Sequence, residues 1–531
     1  MLNLLLFSCA RVGAPNGGTR DSLAPKFLGS NIDTTRLNVS RTVKELRLDF
    51  DEYVMLKDFN KNFNVSPPIK KIKKVIPSNL ANKYVLIQWE DTLQANTTYN
   101  FNFGNAIVDN NESNPLPYFN FAFSTGDKID DLFVSGTVKD AMTLIKENQT
   151  AKDNKMVVGL YKAGENLDYK QKPDYITKVD EENYFELNFL PKGEFVIIAF
   201  DDENQNSVYD AGKEKVSFLK EKITLDSTSA RGLKLKLYPS KKVVKYKESK
   251  AINGGLLMTF EGNPETVEVK SLSEELKDFK VTHAKRSDSV NIWFDAEKSN
   301  LGGTVSKQLK LSYFTPTISE TISVSYKAVK DEFKLSNEAG NLIAPENNFV
   351  INTSLPIENL NTSSWKLESD SIAQDFTAKI SEKNPFKILV NSSFKPTKKY
   401  VLTIPKETVS SYYSSNDKSF QFQFEIDKPE NYGSFTAVIK NKPTAKFWVE
   451  LTNEKGEILY SQFTNASEVS FKNLKPATYI ARIRVDNNGN GFWDEADFAQ
   501  NIAAEDVFIF EKEINVRPLW EIKEDWELIN H

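Results

Sequence analysis

At 531 residues the chain is too long for one ordinary domain, and its net charge of −5 gives no basic footprint of a nucleic-acid binder. A single cysteine excludes an internal disulfide, and two histidines leave little material for histidine-based catalysis. Hydrophobic residues at 40% can fill several modest cores, and the aromatic 12%, mostly Phe and Tyr, suits pleated, half-buried surfaces.

The chain opens with "MLNLLLFSCA", a short apolar run ending in Ser8 and Cys9. Leu6-Phe7-Ser8-Cys9 resembles the lipobox that closes bacterial lipoprotein signals. It lacks a basic n-region and its apolar run is short, so the expectation is a start further upstream and a lipid on Cys9. "ARVGAPNGGTRDSLAP" reads as a flexible tether, which makes residues 1–21 a signal remnant and spacer. Elsewhere no apolar run reaches the roughly 18 residues that mark a membrane-spanning helix.

From there the sequence alternates as strands do. "KELRLDFDEYV", "KYVLIQWED", "TYNFNFGNAIV" and "YFNFAFST" are separated by turns rich in Asn, Asp, Pro and Gly. The predicted fold class is all-β: tandem β-sandwich domains in an elongated chain. "KKIKKV" (70–75) fits an edge strand guarded by lysines, the alternative being contact with lipid headgroups or an acidic partner, and "DNNESNP" (109–115) fits a solvated hairpin loop. "SLSEELKDF" (271–279) is the best helical candidate.

Internal repeats set the boundaries. "LQANTTYNFNF" (93–103) matches "FKPTKKYVLTI" (394–404) around Tyr99 and Tyr400, which predicts two copies of one sandwich at 22–126 and 333–428. "YFELNFLPKGEFVIIAF" (184–200) matches "EVSFKNLKPATYIARIRV" (468–485), which predicts a second pair at 130–238 and 431–531. The stretch 243–328 reads as a fifth β-domain. "GDKIDD" (126–131), "YPSKKVV" (238–244) and "IDKPENYG" (426–433) read as hinges.

Each member of the second pair ends in an Asp/Asn loop. Calcium loops of the EF-hand type place oxygen ligands at positions 1, 3, 5, 7, 9 and 12, with Gly at 6. "VDNNGNGFWD" supplies Asp486, Asn488, Asn490, the Phe492 carbonyl, Asp494 and Asp497, with Gly491 at the turn. "FDDENQNSVYD" supplies Asp202, Asn204, Asn206, the Val208 carbonyl and Asp210, with Ser207 at position 6 and Lys213 at position 12, a weaker set. Hard oxygen donors at alternate positions suit a structural calcium ion. Strands rather than helices lead in, so nothing is present for such an ion to switch. The alternative is a pair of Asx turns closed by Asp and Asn side chains.

The order of these parts resembles the Ig-like-domain outer-membrane lipoproteins of Bacteroidota. "GGTRDSLAPKFLGSN", "FDEYVMLKD", "LQANTTYNFNFGNAIVDNNESNP" and "FAFSTGD" resemble their bacterial Ig-like first domain. "NLKPATYIARIRVDNNGNGFWD" with "VRPLWEIKEDWEL" resembles their C-terminal module of transthyretin-like or carboxypeptidase-regulatory-like type. Asp-Ser/Thr tripeptides at Asp21, Asp33, Asp91, Asp226, Asp288 and Asp370 resemble O-glycosylation sites of such envelope proteins.

No Walker loop, H-E-x-x-H, G-x-G-x-x-G or Ser/His/Asp set appears, and His283 reads as an ordinary strand or turn residue rather than a ligand. The expectation is a non-enzymatic, lipid-anchored scaffold at the outer membrane, cell surface favoured over periplasmic face. Its partner would be an outer-membrane β-barrel complex for protein insertion or export. One alternative is a surface adhesin or glycan-binding lipoprotein, with Trp365, Trp448 and Trp493 as candidate platforms. The other is a hydrolase built on a carboxylate pair.

Overall fold

Alternation decides the architecture. In the strand Glu45–Leu56, Leu46, Leu48, Phe50 and Val54 are buried while the residues between them face outward, so one face of the sheet must be covered. The same pattern recurs in a computed structural model that describes residues 21–144, 155–164, 168–329, 332–338 and 340–528. Cys9 and the tether before residue 21 lie outside the described residues. The chain is almost entirely β-stranded and is organised as repeated pairs of small sheets. The described residues fall into two compact units, one ending at Leu237 and the other lying mainly from Tyr238 onward.

The first unit holds two sandwiches. In the first, one sheet runs Phe27–Ser30, Glu45–Leu56, Asn82–Trp89, Ile72–Ile76, and the other Asn64–Ser66, Thr98–Gly104, Phe119–Ser124. Trp89, Phe101, Phe103, Phe121 and Phe123 fill the space between them. The lysine-rich Ile72–Ile76 strand lies at the sheet's edge, paired only with Asn82–Trp89, where lysines discourage pairing with another chain. The second sandwich places Tyr175–Lys178, Met156–Lys162, Gly193–Asp201 and Val216–Phe218 against Tyr184–Leu190, Leu132–Asp140 and Ala230–Leu237. Its core is centred on Phe185, Phe195 and Ile197. The two sandwiches meet where Ser66 Oγ accepts the Ile176 N–H at 3.2 Å.

The second unit holds three cores, around Met258 and Tyr313, around Phe349 and Leu402, and around Phe435 and Ile483. The last sandwich repeats the topology of the second. Its sheets run Ile458–Thr464, Phe447–Thr452, Ala477–Val485, Val507–Ile509 and Glu468–Leu474, Gly433–Lys440, Glu521–Glu527. In both, one long strand is paired along its two halves by successive short strands: Val216–Phe218 and Ile223–Leu225 in one, Val507–Ile509 and Ile514–Val516 in the other.

The Tyr99/Tyr400 repeat is a structural one. Each phenol oxygen accepts a backbone N–H five residues upstream, from Gln94 and from Lys395, both at 2.8 Å. Three residues before each tyrosine the chain turns through positive φ, 48° at Asn96 and 64° at Thr397. The corner lets a strand leave one sheet and enter the other without leaving that N–H unpaired.

Two local expectations are corrected and one holds. Residues 271–279 form no helix: Glu268–Ser271 is a strand and the Leu272 N–H pairs with Lys310 O at 2.8 Å. The Ser273 Oγ accepts the Lys310 N–H, so serines compete for the backbone groups a short helix would need. The loop at 109–115 is exposed or half-buried from Asn110 to Pro115, as expected of a solvated hairpin loop, and is anchored at its start by the buried Asp109, whose carboxylate accepts N–H groups from Asn111, Glu112, Ser113 and Asn114. The stretch after Tyr238 is paired rather than free: the Lys241 N–H donates to Ala496 O at 2.8 Å and the Ala496 N–H to Pro239 O at 3.1 Å. Contacts also join neighbouring sandwiches in this unit. Trp293 of the third packs into the core of the fourth, 6.0 Å from Phe386, and Lys280 pairs with Glu358 at 2.6 Å.

Two outcomes follow for stability. Tyr99→Phe and Tyr400→Phe each strand a backbone N–H and should each destabilise their sandwich by about 1–3 kcal/mol, read as amide-exchange protection lost in that sandwich alone. At Asp109 burial opposes the charge, but the four N–H donors outweigh it and hold the carboxyl below its usual range. A lowered native value adds stability above the ordinary Asp value of ~3.9, and that stability is lost as pH falls through the native value. Asp109→Asn should therefore flatten the acid limb of the first sandwich's stability profile, measured by denaturant unfolding between pH 5 and 2.

Candidate functional site

The strand Ala477–Val485 delivers the last Asp/Asn loop and Gly193–Asp201 the first, and the two turns share one hydrogen-bonding plan. In each, the leading Asp is buried: Asp486 Oδ2 accepts the Gly491 N–H and Asp202 Oδ2 the Ser207 N–H, both at 3.0 Å. Asn488 Oδ1 and Asn204 Oδ1 each accept the N–H two residues on, at 3.0 Å. Asn490 and Asn206 do the same for Phe492 and Val208. The Asn488 amide donates to Asp494 Oδ2 at 2.5 Å and the Asn204 amide to Asp210 Oδ2 at 2.7 Å. Positions 4 and 6 have positive φ in both copies: Gly489 (73°) and Gly491 (83°), Gln205 (59°) and Ser207 (62°). Glycine adopts that conformation freely; Gln and Ser do so at a cost.

The copies differ in two respects. Asp202 Oδ1 also accepts the Asn206 N–H at 3.0 Å, whereas Asp486 Oδ1 is buried and has no hydrogen-bond partner. Glu505 closes the last loop from behind; like Glu214 in the first copy it is buried and stands two residues before the next short strand. Its two oxygens accept the N–H groups of Asn488 at 3.1 Å and Asp494 at 2.9 Å, and burial still pushes its carboxyl up. Second, Arg286 of the third sandwich donates to Asp494 Oδ1 at 2.6 Å and lies 4.6 Å from the Phe492 ring centre. Burial opposes the charge on Asp494, but Asn488 and Arg286 outweigh it and hold that carboxyl below its usual range. Asp497, expected at position 12, is placed in the next turn: its carboxylate accepts the Gln500 N–H and its backbone pairs with Ile502. Spacing alone could show neither Glu505, 11 residues past the loop, nor Arg286, 208 residues from Asp494.

A second cluster occupies the outer face of the same sandwich. Phe447, Val449 and Leu451 enter the core, so Trp448 and Glu450 lie on the opposite face, beside Arg482 and Arg484 from the paired strand. Glu450 is wholly buried there. Its Oε2 accepts Arg482 Nε and Nη2 at 2.9 and 2.7 Å, and its Oε1 accepts Arg484 Nη2 at 2.5 Å. Trp448 stacks on Phe463 of the edge strand, ring centres 4.4 Å apart and planes 26° off parallel. The Arg484 guanidinium sits 5.9 Å from Trp448 and 5.8 Å from Trp493, while Lys446 lies 5.6 Å from Phe463. Trp493 continues the row to Tyr238 at 6.4 Å. Alternating cations and rings stabilise one another through the ring quadrupoles. Phe463 stays 44% exposed, as do its strand neighbours Ile458 (46%) and Leu459 (48%). Trp365 belongs to the core instead: it is 5% exposed and its indole N–H donates to Thr408 at 2.9 Å.

Among the described residues no three His, Cys, Asp or Glu side chains gather closely enough to hold a metal by themselves. His283 ends a strand with a ring nitrogen 3.1 Å from Ser287 O. An open groove of about 590 Å³ runs beside it, between the edge strands Glu268–Ser271 and Lys280–His283.

Glu450 fixes both arginines beneath the aromatic row. Glu450→Ala leaves two buried or half-buried guanidiniums without a counter-charge and should cost about 3–5 kcal/mol. Pairing it with Arg482→Leu should recover part of that loss, both read by tryptophan-monitored denaturant unfolding.

Comparison with known proteins adds one assignment. No curated protein matches the chain. Among solved structures, the surface layer protein SbsC, domains 1–6, is 11% identical over 93% of this chain and 67% of that one, with a TM-score of 0.15. The mixed-linkage glucan utilization locus protein SGBP-B of Bacteroides ovatus, solved with a mixed-linkage heptasaccharide, is 9% identical over 73% and 94%, with a TM-score of 0.20. A biofilm associated protein's BSP domain is 10% identical over 95% and 99%, with a TM-score of 0.17. TM-scores this low carry no argument about what this chain binds. Residues 21–125, the first sandwich, match the bacterial Ig-like domain family.

Proposed function

We propose that this chain is a non-catalytic, adhesin-type surface protein in which serial β-sandwiches present a carbohydrate-binding face on the last one. The observation that carries the reading is the Trp448–Phe463 stack on the outer face of a sheet, with Lys446 and Arg484 beside it. The C–H face of a pyranose ring is apolar and packs on such rings, and its equatorial hydroxyls or carboxylates reach flanking cations. A face of this kind needs no reacting group. It needs rings held rigid, and Glu450 with its two arginines supplies that rigidity. Display outside the cell, through a lipid on Cys9 at the outer membrane, belongs to the same proposal and rests on the residues around that cysteine.

A second reading has its own observation. The strand Ile458–Thr464 is a sheet edge with Ile458, Leu459 and Phe463 exposed, a template on which a protein partner such as an outer-membrane β-barrel complex could add a strand.

A glycan array followed by calorimetry separates the two. Under the carbohydrate reading the intact protein binds a defined glycan, and Trp448→Ala and Phe463→Ala each weaken binding at least about tenfold, ~1.4 kcal/mol, without unfolding the sandwich. Absence of glycan binding, together with a stoichiometric membrane-protein partner lost on Leu459→Lys, supports the second reading and overturns the first.

A further inference from the structure

The last Asp/Asn loop contains an anomaly that its hydrogen bonding does not remove. Asp486 is 3% exposed, and its Oδ1 meets no donor. The same carboxylate is tied across the turn 486–494 by the Gly491 N–H on Oδ2, which leaves Oδ1 as the oxygen without a donor. A buried, unpaired carboxylate oxygen is costly, because its charge has left water without a replacement. The first loop shows the same turn without this feature, since Asp202 has a backbone N–H on each oxygen.

We propose that the loop 486–494 binds one divalent cation of the calcium class, with Asp486 Oδ1 as its innermost ligand. The other donors are Asn488 Oδ1, Asn490 Oδ1, the Phe492 carbonyl and Asp494 Oδ2. Each amide oxygen already accepts one N–H and keeps a second lone pair for an ion. The amide groups of Asn488 and Asn490 now converge on Asp494 Oδ2, at 2.5 and 2.8 Å, and a cation would take over their role of meeting that oxygen's charge. All five donors are oxygens, which suits calcium or magnesium, and calcium is the less exacting of the two in coordination geometry. Glu505 serves as a positioning residue: with both oxygens on loop N–H groups it holds the turn closed. Two carboxylates and two neutral amides place the affinity in the range of extracellular calcium modules, Kd of roughly 10⁻⁴–10⁻³ M.

The loop carries its own reporter. Trp493 lies within it, so terbium bound there emits on indole excitation, and calcium displaces it. The intact protein should show saturable, calcium-competed terbium emission and a melting temperature that rises with calcium. Asp486→Asn should weaken binding at least about tenfold, and Glu505→Gln about tenfold while leaving stoichiometry at one. Asp202→Asn, in the first loop, should leave the emission unchanged. Asn488→Ala, at an exposed position, gives the same loss of affinity in a variant whose folding is not in question. Emission that does not saturate, or that survives both Asp486→Asn and Asn488→Ala in folded protein, overturns the proposal.

Discussion

A charge taken into a sandwich must find a partner, and this constraint shapes the molecule more than any single hydrophobic contact. Among the described residues six acidic side chains are more than nine-tenths buried: Asp109, Asp202, Glu214, Glu450, Asp486 and Glu505. Asp109, Asp202 and Glu505 each gather backbone N–H groups and so fix a loop. Glu450 gathers two guanidiniums and so fixes a sheet face. Asp486 is satisfied on one oxygen only. The hydrophobic cores supply the bulk of the stability, as they must in any sandwich, but they resemble one another. What distinguishes the last sandwich from its repeat is where its charges go.

Duplication explains the resemblance, and divergence explains the specialisation. The second and last sandwiches share strand order, the doubly paired central strand and the hydrogen-bond plan of their Asp/Asn turns. The last copy has glycine at both left-handed positions where the earlier one strains Gln205 and Ser207. It also has Arg286 in front of the turn. Its outer face has Trp448, Phe463 and Trp493 in one row that reaches the turn, since Trp493 belongs to both.

Much of the fold was legible because its signals are local. Alternating strands, the spacing of Tyr99 and Tyr400, and the paired Asp/Asn turns each occupy a few consecutive residues, and each has a direct physical meaning in a sheet or corner. The site was half legible. Positions 486 to 494 stand together in sequence, whereas Glu505 and Arg286 reach the turn only through tertiary packing, and Asp497 leaves it because the chain turns again at Gln500. The short stretch 271–279 misled because helical spacing is weak evidence over two turns, and strand pairing with Lys310 outweighs it. Of the three candidate tryptophans, burial separates Trp365 from Trp448 and Trp493, and nothing in a linear sequence reports burial of one ring against another.

These features support the proposed reading, a series of sandwiches joined by local contacts and using the outer face of the last as the working surface. Hydrogen–deuterium exchange of the full chain, with and without a saturating glycan, tests it most directly. The account expects new protection confined to the strands that hold Trp448, Phe463 and Arg484, with the other sandwiches unchanged. Protection in another sandwich, with none on those strands, would contradict it.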